Sequence, residues 1–70
     1  MDRNIVASSN VSSIGYEPQA STLEVEFVGG GIYQYYGVPE NMYVQLMSAP
    51  SKGQFLNTYI KNQYPYSRTG

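Results

Sequence analysis

The chain is predicted to fold as an α+β domain, a three-stranded antiparallel sheet followed by two helices packed on one face. Three observations carry this. Residues 22–28 alternate apolar and polar side chains, the period-2 pattern of a half-buried strand. Gly29, Gly30 and Gly31 divide that run from a second one, Ile32 to Tyr36, dense in residues that favour strands. Beyond it, two segments repeat apolar residues at helical spacing and are parted by Pro50.

Taken in order, residues 1–9 are polar apart from Ile5-Val6 and read as a flexible arm. Val11 to Tyr16 alternates weakly and is stopped by Glu17-Pro18, which predicts a short edge strand, where proline is tolerated. Leu23, Val25 and Phe27 form the core face of the second strand, and Thr22, Glu24 and Glu26 its solvated face. The glycines join it to the third strand as a hairpin. If they form a three-residue loop, Phe27 faces Tyr33 and Val25 faces Tyr35. Tyr33 and Tyr35 then join the core, while Gln34 and Tyr36 face away. A two-residue loop would turn every side chain of the third strand over. The three-residue register is preferred because it does not bury Gln34.

Val38-Pro39-Glu40 opens the first helix, with proline and an acidic residue at its start. Met42, Tyr43, Leu46 and Met47 make its apolar stripe. Ser51-Lys52-Gly53-Gln54 fits a capping box for the second helix. Its stripe is Phe55, Leu56, Tyr59 and Ile60, and Tyr64-Pro65 ends it. Residues 67–70 are expected to fray. A single domain therefore spans residues 10–66.

Seventy residues allow one hydrophobic core. A chain of this size buries only about 60% of the surface its unfolded form exposes. There is no cysteine for a disulfide and no histidine to help hold zinc. Oligomerisation is the remaining route to extra burial, so a homo-oligomer is expected. No stretch approaches the roughly 20 apolar residues that cross a membrane. The N-terminus lacks the pattern of a signal peptide, so a cytoplasmic protein is expected.

The charges are few and unevenly spread. Asp2, Glu17, Glu24 and Glu26 oppose Arg3 in residues 1–30, whereas Lys52, Lys61 and Arg68 oppose Glu40 in residues 31–70. The total is −1, which argues against a general, charge-driven grip on nucleic acid. A small anion could be held in the second half.

Catalysis is not expected. Histidine and cysteine, the commonest general base and the most reactive nucleophile, are both missing. Glu24 and Glu26 are the wet side of an alternating strand rather than an acid and a base. The triglycine precedes a strand, not the helix that a phosphate loop or a dinucleotide fingerprint requires. No cofactor is implied. The anomaly that remains is eight tyrosines, rings that suit interfaces and base stacking alike.

An ordered set of residues resembles the KTSC domain family. It comprises Val11-Ser12-Ser13 with Gly15-Tyr16, Leu23-x-Val25-x-Phe27, Gly30-Gly31-x-Tyr33-x-Tyr35 and Val38-Pro39. It continues with Ser51-Lys52-Gly53-x-Phe55-Leu56-Asn57-x-x-Ile60 and Tyr64-Pro65. The resemblance covers residues 8 to 66. It implies a free-standing bacterial or phage version of a domain also found at the C-terminus of some lysyl-tRNA synthetases. RNA binding is suggested for the family from that association.

Two functions follow as expectations. One is a binding module for a phosphate-bearing ligand, a nucleotide or RNA, held by Ser51, Lys52, Gly53 and Asn57 with the exposed ring of Tyr36. Helix starts are ready anion sites, and Gly53 would let a phosphate approach closely. The other is a protein-interaction or assembly module built on Tyr16, Tyr43, Tyr66 and Arg68, with an unknown protein as partner. A phage inhibitor that captures a host protein or a signalling nucleotide would be a version of either. The structural core is expected to be Leu23, Val25, Phe27, Tyr33, Tyr35, Leu46, Phe55, Leu56 and Ile60.

Overall fold

The computed structural model describes residues 1–70. The fold is α+β, with the sheet first and the helices following, and the sheet has five strands rather than three. They are β1 (Asn4–Ile5), β2 (Val11–Glu17), β3 (Thr22–Phe27), β4 (Gly31–Tyr36) and β5 (Tyr66–Arg68). They lie side by side in chain order, every neighbouring pair antiparallel.

Both additional strands come from segments expected to be loose. Asn4 and Ile5 pair with Ile14 and Ser13, so β2 is an interior strand and not the edge. Tyr66, Ser67 and Arg68 pair with Tyr35, Gln34 and Tyr33, and the terminal residues continue the attachment. Thr69 donates its backbone N–H to the Ile32 carbonyl at 2.7 Å.

A bulge at Ser12 reconciles the weak alternation of β2 with burial. Val11 lies opposite Phe27 and Ser13 opposite Glu26, leaving Ser12 without a partner. The extra residue lets Val11 and Ile14, three apart in sequence, both enter the core. The hairpin loop does have three residues, but they are Val28, Gly29 and Gly30. Gly31 pairs with Phe27, Tyr33 with Val25 and Tyr35 with Leu23. The register is offset by two from the expectation, and a two-residue offset preserves the faces. Gly31 belongs to the strand through its pairing with Phe27, and glycine is needed there because its φ is +94° and the Arg68 guanidinium lies where a side chain would stand.

The first helix, α1 (Glu40–Ser48), is followed by a short second helix, α2 (Lys52–Phe55). A π turn over Leu56–Ile60 extends α2, closed by Lys61 N–H donating to the Leu56 carbonyl at 2.8 Å. Neither helix is long and apolar enough to cross a membrane. Both cover one face of the sheet. The core holds Val11, Ile14, Leu23, Val25 and Tyr35 from the strands, Val38 from the connection, and Leu46, Leu56 and Ile60 from the helices. Phe27, Tyr33 and Phe55, expected inside, are half buried at its margin.

Candidate functional site

A cleft of about 420 Å³ opens where the core face of the sheet runs out from under the helices. That is the size range of small-molecule sites, about 300–1,000 Å³. Strand alternation builds its floor. Tyr33 and Tyr35 project from β4 on the core face, with ring centroids 6.5 Å apart. Phe27, at the end of β3, meets Tyr33 edge-on at 5.7 Å. Tyr66 on β5 lies opposite Tyr35, its ring 5.8 Å from both Tyr33 and Tyr35. The four rings make one continuous wall, ending at Gly30 in the hairpin loop.

The roof comes from the end of the second helical segment. Leu56 and Ile60 are fully buried and fix the π turn on the core. The chain leaving it places Lys61 and Asn62 on the cleft. The Lys61 ammonium stands 4.8 Å from the centre of the Phe27 ring, within cation–π range, and no carboxylate lies within ion-pair distance of it. Burial raises the Tyr35 hydroxyl above the ordinary tyrosine range, and the neighbouring Tyr33 and Tyr66 push it the same way. Tyr35 therefore stays a neutral hydrogen-bonding group at physiological pH. Rings, hydroxyls, one amide and one free cation are what the cleft offers. It contains no nucleophile–base pair and no carboxylate.

The structure does not gather the expected ligand residues. Ser51 caps α2, its hydroxyl accepting from Gln54 N–H at 3.2 Å. Lys52 turns back and donates to the Ala49 carbonyl at 2.7 Å. Gly53 is backed by the Asn10 side chain, and Asn57 is exposed. A shallower depression beside them is lined by Ser51 but not by Lys52, Gly53 or Asn57. Tyr36 lies on the opposite face of the sheet, its hydroxyl bonded to Gln34 and Ser67.

The residues expected at an interface separate as well. Tyr16 and Tyr43 stack on each other with centroids 4.9 Å apart, and Tyr16 donates its hydroxyl to the Val38 carbonyl. They pack the strand against α1 inside the chain. Tyr66 is exposed and walls the cleft, while Arg68 donates to the Gly70 carbonyl at 2.9 Å.

Sequence reasoning missed Lys61 and Asn62. The available signal was a cation and an amide directly after the last buried residue of the second stripe, Ile60. Such residues stand at the rim of whatever that stripe covers.

Comparison with known proteins agrees with this architecture. A family model described as the KTSC domain matches residues 7–64. A KTSC domain protein from Yersinia pestis, of known crystal structure, superposes with a TM-score of 0.96 at 43% identity, over 99% of this chain and 97% of that one. An uncharacterized protein of Stutzerimonas stutzeri is 39% identical over 91% of this chain and 90% of its own length. A lysine–tRNA ligase of a Nostoc species is 42% identical over 60 residues, and there the chain spans only 11% of the relative's length. Tyr66 lies just beyond the residues that the family model matches. By fold, matched length and identity alike, the chain belongs to the KTSC domain family.

Proposed function

We propose that this chain is a non-enzymatic binding module whose ligand carries a base and a phosphate, either a free nucleotide or an unpaired nucleotide of an RNA. One observation carries the reading. Phe27, Tyr33, Tyr35 and Tyr66 present a continuous aromatic wall beside Lys61, a cation with no partner of its own. Stacking on aromatic rings contributes about 1–3 kcal/mol per base and tolerates any base. Tyrosine hydroxyls and the Asn62 amide supply hydrogen bonds at the rim. The kinship with a stretch of lysine–tRNA ligases supports a nucleic-acid setting.

The test is a thermal-shift screen of the purified chain against nucleotides and short single-stranded RNAs, run beside Lys61→Glu. A ligand that binds the folded state raises the melting temperature by mass action. The expected result is a concentration-dependent rise that Lys61→Glu abolishes without loss of fold, because Lys61 is exposed. No rise with any member of the panel, together with a mass that grows with protein concentration, would replace this reading with an assembly module.

A further inference from the structure

Resting on that reading, we infer that the cleft holds one nucleotide unit with one phosphate, and not a tract of nucleic acid. A census of the four cations carries the inference. Arg3 is spent on the opposite face of the sheet, on Glu24 and Glu26. Lys52 donates to the Ala49 carbonyl and Arg68 to the Gly70 carbonyl over Gly31, and neither lines the cleft. Lys61 alone combines a free ammonium with a place on the cleft.

Binding along a strand needs a track of cations, because each neutralised phosphate adds its own share of counterion release. With one cation there is no track. The cleft is short as well, its lining running from Gly30 in the hairpin loop to Tyr66 on the edge strand. The ammonium rests over the Phe27 ring. An arriving phosphate takes up that ammonium, and the base takes its place against the rings.

The same unit could arrive as a free mononucleotide or as the terminal nucleotide of an RNA. A fluorescent single-stranded RNA of about eight nucleotides, titrated over a range of salt, reads the number of phosphates engaged. Competition by nucleoside 5′- and 3′-monophosphates and by unphosphorylated nucleosides reads the size of the unit. The expected salt slope is about −0.7, the value for one phosphate of a single strand. Lys61→Gln should flatten it towards zero. A monophosphate should displace the RNA fully, and a nucleoside should compete about tenfold less well. Preference for a free 5′-monophosphate over the RNA marks a mononucleotide as the natural source, and the opposite preference marks an RNA end. A slope of about −1.4 or steeper, which means two or more phosphates, or monophosphates that fail to compete, overturns the single-unit inference while leaving nucleic-acid binding intact. If neither RNA nor mononucleotide binds, the inference and the reading beneath it fall together.

Discussion

Arg3 and Glu24, 21 residues apart in the chain, form an ion pair at 2.5 Å that closes the polar face of the sheet. Glu24 is only 7% exposed, and a carboxylate removed from water is costly unless it is paired and hydrogen-bonded. Gln34 satisfies its other oxygen at 2.9 Å, and Arg3 also donates to Ser13 at 2.9 Å, which in turn donates to Glu26 at 3.0 Å. The outer face of this small sheet is thus a second, polar core, and the N-terminal arm is part of it.

That network predicts acid lability. Burial pushes the Glu24 carboxyl up, but hydrogen bonds from Gln34 and Arg3, with the positive charge of Arg3, outweigh it and hold the group below the ordinary range. The folded state therefore binds this proton less tightly than the unfolded chain. The resulting stability is fully present above the ordinary glutamate range and is lost as pH falls through the lowered value. Glu24→Gln should melt lower than the parent near neutrality and converge with it in acid. Melting curves from about pH 7 to about pH 3 check this. A constant gap between the two proteins across that range would remove Glu24 as the cause.

Gly15 makes room for the arm. A methyl group there would collide with the Asp2 carbonyl oxygen and lie 3.0 Å from Cγ of Arg3. Gly15→Ala should therefore lift the arm from β2 and cost about 1–3 kcal/mol, the scale of leaving a buried polar group with its partner gone. Adding Arg3→Ala to Gly15→Ala should cost little more, because both changes break the same contacts. Urea unfolding of the two single variants and the double variant measures the coupling. Strict additivity would mean that glycine and arginine act independently.

The middle of the fold was legible because burial wrote it into the pattern. Leu23, Val25 and Phe27 alternate, Leu46 and the pair Leu56 and Ile60 stand on helical stripes, and Ser51 caps the helix it was expected to cap. The edges were not legible. Every residue of β5 is exposed, and Ile5 of β1 is 90% exposed, so both strands are held mainly by backbone hydrogen bonds, joined in β5 by the single ring of Tyr66 against Tyr33 and Tyr35. Such a strand leaves no period in the sequence. The cleft was hidden for the same reason: one wall stands on β5, and its cation follows a π turn that helical spacing does not foresee. The helix start fits an anion-site motif, yet Ser51 takes the Gln54 N–H and Lys52 donates to the Ala49 carbonyl.

Leu56 and Phe27 separate core from site. Leu56 is fully buried, and Leu56→Ala should cost about 2–5 kcal/mol in a domain with little stability to spare. Phe27 is half buried at the cleft and should cost less when changed to Ala, because part of its ring already meets water. Chemical denaturation ranks the two. The opposite order would place the phenylalanine ring in the core and leave the cleft without its end wall.

Removing residues 66–70 tests whether β5 is scaffold or site. The strand contributes no residue to the fully buried core, so a chain ending at Pro65 should still fold. It should nonetheless melt a few degrees lower, since β4 loses its hydrogen-bonded neighbour and about 1 kcal/mol shifts a domain of this size by roughly 4–8 °C. The bare edge of β4 should also make the protein more prone to association. Nucleotide binding should fall by about 5- to 150-fold, because Tyr66 is one of the stacking rings and a lost stack is worth about 1–3 kcal/mol. Tyr66→Ala in the full chain separates the two effects, since it removes the ring and keeps the backbone pairing with Tyr35. Calorimetric titration of both variants should then give similar losses of affinity with different losses of stability. If the truncated chain binds as tightly as the parent, β5 only protects an edge, and the cleft must recognise its ligand through Phe27, Tyr33, Tyr35, Lys61 and Asn62.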